Sequence, residues 1–154
     1  MRKILSEANK AYISGLLDGD GAIMACIEKH AEKKFGFRVR IYIKISQNDC
    51  KILNWCKSVT GLGRIRAVRN NGHEWIIRNQ EDAKILMKAL TLYLKVKNKQ
   101  SRLALKILNT EIKTVKNLFK VAKLADALSK LNVRSKGRRK NFMTMIQENI
   151  SPND

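Results

Sequence analysis

The chain has 154 residues, of which 44% are hydrophobic, and this is enough apolar material for a folded core within one domain spanning residues 1–154. It contains 32 Lys and Arg against 13 Asp and Glu, so its formal net charge of +19 makes a polyanion, above all nucleic acid, the expected partner. One proline and eight glycines exclude collagen-like and low-complexity chains.

Membrane, secreted and zinc-binding proteins fit the sequence less well. No stretch of about 18 uncharged apolar residues is present, so no membrane-spanning helix is predicted. Residues 1–7 lack the long apolar core of a signal peptide. Cys26, Cys50 and Cys56 form no C-x-x-C pair, which disfavours a zinc finger. We expect reduced thiols in an intracellular protein, in the cytoplasm of a prokaryote or archaeon or in an organelle.

The first predicted element is a helix that begins after Ser6, a residue type favoured at helix N-caps, and runs to about Leu17. It carries small residues on one side and bulkier aliphatic residues on another. The small side allows a second helix to approach closely. The next four residues, 18–21, alternate Asp with Gly, and the glycines permit unusual backbone angles there.

Two strands with alternating polarity follow, joined by a basic loop. Residues 22–28 alternate, and residues 38–46 do so strictly, with aliphatic residues on one face and mainly basic residues on the other. A second helix, capped by Asn48 or Asp49, ends at Gly61. A second hairpin then turns at Asn70-Asn71-Gly72.

The rest of the chain is predicted to be helical. Asn79 caps a third helix, and a basic segment at residues 95–100 precedes a fourth. Two more helical segments lie around residues 115–128 and 142–146, on either side of the basic run 134–140. The order predicts an α+β fold with an α-β-β-α-β-β-α core and C-terminal helices.

The segment Ile13-Ser14-Gly15-Leu16-Leu17-Asp18-Gly19-Asp20-Gly21 resembles the signature of the LAGLIDADG homing endonucleases, from which it departs at residues 14 and 19. The element order and the Lys95-Val96-Lys97-Asn98-Lys99-Gln100 stretch are also similar to that family, so the resemblance covers about residues 8–108. It is closest to small intron-encoded members with one motif per chain that act as homodimers. The resemblance implies an antiparallel, saddle-shaped DNA-binding sheet. It also implies site-specific double-strand cleavage of a long pseudo-palindromic DNA target with 3′ overhangs.

The resemblance also implies the catalytic residues. Phosphodiester hydrolysis needs a divalent ion that neutralises the phosphate and generates hydroxide, and Mg²⁺ typically takes one or two carboxylates plus substrate phosphates. Asp20 and the backbone carbonyl of Gly19 match the family's metal ligands. Gln47 matches its solvent-positioning residue and Lys97 its catalytic lysine. Mg²⁺ or Mn²⁺ is the expected cofactor, with Ca²⁺ as a non-catalytic substitute.

Simpler interpretations stay open for these residues. Asp20 is alternatively a turn residue at a helix end, and Gln47 an ordinary polar residue at a strand end. Lys97 is alternatively a phosphate-binding or solvated lysine within a basic stretch. Lys51 is a weaker candidate for the same pocket, and Asp18 is expected to be structural.

The polar face of the sheet is expected to read bases, because the DNA major groove admits a two-stranded ribbon and because Arg and Glu can pair with guanine and cytosine. Basic residues in the loops are expected to contact phosphates, which position a protein on DNA. The base-reading candidates are Met24, Cys26, Glu28, Arg38, Arg40, Tyr42, Lys44, Arg64, Arg66, Val68, Glu74, Ile76 and Arg78. The phosphate-contacting candidates are Lys33, Lys34, Lys136, Arg138 and Arg139.

A chain with one motif needs a partner to cut both strands, and a C₂ homodimer supplies it. Its interface is expected at Ala8, Ala11, Tyr12 and Gly15, which brings two Asp20 side chains together; packing within the chain is the alternative for this face. Two other functions stay open. One is an RNA maturase that binds intron RNA, and the other is a DNA-binding repressor without activity.

Overall fold

The structure, a computed structural model, describes residues 4–132 and 141–150. The elements, in chain order, are α1 (Glu7–Asp20), β1 (Gly21–Lys29), β2 (Phe37–Gln47), α2 (Cys50–Thr60), β3 (Arg64–Val68), β4 (Gly72–Ile77), α3 (Gln80–Leu90), α4 (Asn98–Leu108), α5 (Val115–Asn132) and α6 (Phe142–Asn149). This order confirms the α-β-β-α-β-β-α core and the C-terminal helices that the sequence predicts.

Helix α1 begins as predicted but ends later. The Ser6 hydroxyl accepts a hydrogen bond from the backbone N–H of Asn9 (3.2 Å), as an N-cap does. The predicted end near Leu17 is wrong, because the helix continues for three more residues and β1 begins directly after it. A Cβ added to Gly21 would lie 2.8 Å from the Leu17 carbonyl oxygen, so glycine is needed where helix meets sheet. The continuation makes Asp20 the last residue of the helix.

The four strands form one antiparallel sheet in the order β1-β2-β4-β3. The turn between β3 and β4 has positive φ at both Asn70 (63°) and Asn71 (58°), which agrees with the predicted tight hairpin. Helix α2 ends at Gly61 in the left-handed conformation, also as predicted. The two hairpins are therefore joined at their centre by β2 and β4.

The core lies on one face of this sheet. Aliphatic side chains of β1 and β2 and the Trp75 ring of β4 are buried there against the helices. Ile13 and Leu17 bring α1 onto the same core, and the core continues through α4, α5 and α6. None of the helices within residues 4–132 and 141–150 is long and apolar enough to cross a bilayer. The helices thus cover one face of the sheet and leave its polar face open.

Candidate active site and nucleic-acid interface

Asp20 lies at the junction of α1 and β1 with its side chain exposed. Its Oδ2 accepts a hydrogen bond of 2.6 Å from the Nε2 of Gln47, the last residue of β2. The two residues are 27 positions apart in the chain, and the register that pairs Gly21 with Ile45 brings the strand ends together. The structure therefore places two of the predicted catalytic residues in direct contact.

Lys97 reaches the same end of α1 from the segment between α3 and α4. Its Nζ donates a hydrogen bond of 2.6 Å to the main-chain oxygen of Asp18, and only 7% of the residue is exposed. The last carbonyls of a helix lack partners within the helix and carry its negative dipole end, so they stabilise a buried ammonium group. Lys97 and Asp20 both line a cavity of about 560 Å³.

The cavity also contains residues that sequence reasoning did not select. Gln100 lines the cavity from α4. It is the last residue of the basic segment 95–100, and this position was the signal that could have indicated it. Asn132, at the end of α5, donates from Nδ2 to the Ile23 main-chain oxygen (2.6 Å). No local pattern links it to the motif, because the two residues are 109 positions apart. Ser46 lines the cavity from β2.

The described residues do not provide a complete set of side-chain ligands for a metal ion. Across residues 4–132 and 141–150, no cluster of three or more His, Cys, Asp or Glu side chains could hold a metal. A cation at Asp20 therefore needs oxygens from phosphate, water or a second chain, which is the mixed donor set that Mg²⁺ typically takes. The Gly19 carbonyl is a neighbouring terminal helix oxygen, so the predicted ligand pair fits such an ion.

The structure does not bring Lys51 to this site. Its side chain is exposed in the first turn of α2, where its backbone N–H bonds to the capping Asp49 (2.9 Å). A second cavity of about 340 Å³ borders Asp20, Gln47 and His73, and Lys51 lines neither cavity. The structure therefore gives no support for Lys51 as a residue of this site.

The base-reading candidates on the strands share one face of the sheet, as predicted. Met24 is opposite Tyr42 in the register, and Ile76 lies between Lys44 and Arg64. Residues directly opposite in adjacent strands project to the same side. The alternation of the sequence therefore places these mainly basic and polar residues on the face opposite the core.

Several basic side chains on this face are already held by partners. Arg38 forms a hydrogen-bonded ion pair with Glu28, which lowers the pKa of that carboxyl. The Arg78 guanidinium lies 5.1 Å from the centre of the Tyr42 ring, a cation–π arrangement. Such contacts reduce the rotamer freedom that a long side chain loses when it binds a ligand.

Glu74 and Ile76 differ from the expectation that they contact bases. Glu74 is only 6% exposed and Ile76 only 5%. The Oε2 of Glu74 accepts from Arg66 (2.9 and 2.7 Å), and its Oε1 accepts from Lys44 (3.1 Å). Because both oxygens bind neighbouring cations, the carboxylate orients two basic side chains of this face. The low exposure of both side chains disfavours direct base contact, and their base-reading role stays a prediction.

The predicted phosphate contacts are placed only in part. Lys33 and Lys34 are exposed in the loop between β1 and β2, and Lys34 donates to the main-chain oxygen of Lys113 (3.1 Å). That bond ties the loop to the segment before α5. Lys136, Arg138 and Arg139 lie outside the described residues.

The expected dimer face is an open stripe on α1. Ala8, Ala11 and Gly15 are all exposed, and a Cβ added to Gly15 would meet no atom within 4 Å. Tyr12 is 55% exposed, and its ring packs edge-to-face on Trp55 of α2, with centroids 5.3 Å apart. Trp55 was not selected from the sequence, where it stands as one apolar residue within a helical pattern.

Two exposed apolar residues border the cavity. Val96 is 69% exposed and Leu131 is 44% exposed, and both line the cavity beside Asp20. In the sequence, Val96 is an apolar residue within the basic segment 95–100, and this contrast was the signal that could have indicated it.

Two of the three cysteines, Cys50 and Cys56, line neither cavity. All three are free thiols, and burial of Cys56 raises its pKa to about 11. A thiol with such a pKa stays neutral at physiological pH, which suits a residue packed in the hydrophobic core.

Comparison with known proteins identifies the family. The profile of the LAGLIDADG endonucleases matches residues 13–108, from α1 through α4. The chain belongs to the LAGLIDADG endonuclease family. The match includes Asp20, Gln47 and Lys97, the three residues that the fold brings to one end of α1.

Two relatives of this LAGLIDADG protein come from green algae. The DNA endonuclease I-CvuI of Chlorella vulgaris is 26% identical over 146 residues, covering 91% of this chain and 86% of that protein. The DNA endonuclease I-CreI of Chlamydomonas reinhardtii is 28% identical over 99 residues, covering 63% of this chain and 60% of that protein. Crystal structures of I-CvuI with a DNA target, in the presence of Mg or of Ca, superpose with TM-scores of 0.83 and 0.81 at 24% identity, covering 92% of each chain.

Proposed function

We propose that this protein is a homing endonuclease that cuts both strands of a long pseudo-palindromic DNA site as a homodimer and so copies its host intron. The observation that carries the proposal is the exposed Asp20 carboxylate at the end of α1, bonded to Gln47 and sharing a cavity with Lys97. The membership of this chain in the LAGLIDADG endonuclease family supports the same function. Within this proposal, residues 1–154 act as one domain inside the cell.

The residues at the α1 end have complementary tasks in this proposal. A divalent cation, Mg²⁺ or Mn²⁺, supplies charge neutralisation at the phosphate and an acidified water when bound. Asp20 and the Gly19 carbonyl hold it. Gln47 orients the carboxylate through its amide N–H, and its carbonyl oxygen can accept from a water molecule. Lys97 places a positive charge where negative charge develops on the departing oxygen.

The proposed dimer packs α1 against its copy. The exposed residues Ala8, Ala11 and Gly15 permit close backbone approach, and Tyr12 with Trp55 supplies aromatic area beside them. Since α1 ends at Asp20, contact between the two helices brings both carboxylates near one axis. A two-fold dimer has a two-fold target, so the recognised sequence is partly palindromic.

The polar face of the sheet reads the target in this proposal. Its basic residues line an open antiparallel surface, a shape that the major groove accepts. The use of DNA by I-CvuI supports DNA as the ligand here. No feature of the described residues favours RNA over DNA, so maturase activity is left as an outcome of the test.

Cleavage of a randomised DNA library followed by sequencing of the ends tests the proposal. With Mg²⁺ we expect breaks at related sites with two-fold symmetry and 3′ overhangs, and none with EDTA. Ca²⁺ is expected to support binding without cutting. Asp20→Asn should abolish cleavage and retain binding, because it removes the charge that holds the cation.

A matched control separates this effect from a general loss of negative charge. Glu111→Gln removes one carboxylate whose partner is Lys113, and it is expected to cut at the wild-type rate. Metal-dependent cleavage that persists in Asp20→Asn contradicts the proposed site. Binding of intron RNA with no cleavage of any DNA identifies a maturase, and DNA footprints without metal-dependent products identify a repressor.

A further inference from the structure

Asp18 is the acidic residue of the motif that the proposed chemistry leaves without a task. Its Oδ2 accepts a hydrogen bond from the backbone N–H of Lys95 (2.8 Å), and its Oδ1 accepts one from the backbone N–H of Lys97 (2.9 Å). These bonds join positions 77 and 79 residues apart. The carboxylate therefore fastens the segment before α4 to the end of α1.

Asp18 also contacts the side chain of the same lysine. Its main-chain oxygen accepts from Lys97 Nζ (2.6 Å), so one residue of α1 holds both the backbone and the ammonium group of Lys97. The lysine is 7% exposed and has exchanged most of its hydration for this environment. A buried ammonium group needs such hydrogen bonds to remain charged.

The start of the same connection is fixed by other residues. Asn98 donates from Nδ2 to the Thr91 main-chain oxygen (2.7 Å), and the Thr91 hydroxyl is hydrogen-bonded to Ser101. Ser14 of α1 donates to the Leu90 main-chain oxygen (3.4 Å). These contacts secure residues 90 and 91 and the first turn of α4, where the Ser101 N–H also bonds to the Lys97 main-chain oxygen (3.0 Å). The Asp18 carboxylate adds the bonds to the N–H groups of residues 95 and 97.

We propose that Asp18 is a positioning residue that holds Lys97 at the Asp20 cavity, an inference that rests on the proposed nuclease function. Hydrogen bonds to an ionised carboxylate are shorter and stronger than those between neutral groups, so two of them fix the direction in which the lysine leaves the backbone. A shift of about 1 Å in a reacting group can cost about 100-fold in rate.

The first test measures the position of Lys97 in the protein without DNA. The variants are Asp18→Ala and Asp18→Asn, and the charge-matched control is Glu111→Gln. Asn retains one acceptor oxygen but replaces the other with a donor that faces an N–H group. Mass spectrometry then reports deuterium uptake at residues 95–97 and acylation of the Lys97 amine by an N-hydroxysuccinimide ester.

We expect faster exchange and faster Lys97 acylation in both Asp18 variants while each is still folded at the assay temperature, and wild-type values in Glu111→Gln. The Asn variant keeps the test informative if the Ala variant does not fold. Acylation and exchange that equal wild type in a folded Asp18 variant overturn the proposal.

The second test uses single-turnover cleavage of the duplex recovered from the library. Asp18→Ala should cut about 100-fold more slowly, with affinity in Ca²⁺ unchanged, because the defect lies in positioning and not in DNA contact. The double variant Asp18→Ala/Lys97→Met should be no slower than Lys97→Met alone, since both changes remove the same function. Fully multiplicative losses overturn the proposal. If the wild type cuts no DNA, the nuclease function fails, and the labelling experiment still decides whether Asp18 holds Lys97.

Discussion

At the residue scale, the polar face of the sheet depends on a carboxylate that does not reach its surface. Glu74 is buried between Lys44 and Arg66, and Ser46 also donates to it (3.4 Å). Burial raises the pKa of Glu74, but the hydrogen bonds from Arg66 and Lys44 outweigh it and leave the pKa below its ordinary value. Glu74 therefore stays ionised at neutral pH and sets the directions of two cations.

Glu74→Gln should release Arg66 and Lys44. At the base that Arg66 is proposed to read, we expect the difference in binding free energy between the target base and other bases to fall by about 1–3 kcal/mol. The reason is that a guanidinium group without a fixed orientation pairs less selectively. Competition binding with single-base variants of the target in Ca²⁺ measures it. An unchanged preference at every base contradicts the organising role of Glu74.

The same variant predicts a pH dependence of stability. A folded-state pKa below the unfolded value contributes stability at neutral pH, and this contribution is lost as pH falls through the folded pKa. Urea unfolding should show Glu74→Gln less stable than wild type by about 1–3 kcal/mol at neutral pH, with a difference that shrinks in acid. A difference that grows in acid contradicts a lowered pKa of Glu74 in the folded state.

At the element scale, α1 serves the core with one side and is proposed to serve a partner with another. Ile13 and Leu17 are fully buried, while Ala8, Ala11 and Gly15 are exposed. The helical spacing predicted these sides from the sequence, because both depend only on a period of 3.6 residues. What each side contacts depends on other elements, so packing within the chain remained an alternative.

Gly15→Glu tests the proposed helix contact. The added side chain finds open space within the chain, so the subunit should fold, but two such carboxylates would face each other across the two-fold axis. Analytical ultracentrifugation should show dimers for wild type and monomers for the variant. Gln147→Glu adds the same charge on α6 and should remain dimeric. A dimeric Gly15→Glu protein places the interface elsewhere.

The elements also show where sequence patterns reach their limit. Strict alternation in β2 predicted its two faces, and the Asn-Asn-Gly turn predicted the second hairpin, since both are local properties. The end of α1 was missed because glycine permits a break in a helix but does not require one. Gly19 stays helical, and the chain leaves the helix only at Gly21, in an extended conformation. The burial of Glu74 was missed because Lys44 reaches it from another strand.

At the scale of the whole molecule, charge dominates the expected binding. A net charge of +19 attracts any polyphosphate, and counterion release makes that attraction dependent on salt. If roughly 6–10 phosphates are neutralised, affinity should fall about 10³–10⁵-fold between 50 and 200 mM salt. Fluorescence anisotropy with the selected duplex measures the slope, and a nearly flat dependence contradicts a phosphate-contacting interface.

In the proposed homodimer, two Asp20 carboxylates, one from each subunit, produce the double-strand break. A mixed dimer, made by co-expressing wild-type and Asp20→Asn chains with different tags and purifying over both, tests it most directly on a supercoiled plasmid that carries the target. We predict that the mixed dimer binds the site but makes no double-strand breaks in Mg²⁺, whereas the equally tagged wild-type dimer linearises the plasmid. Linearisation by the mixed dimer at the wild-type rate contradicts the claim.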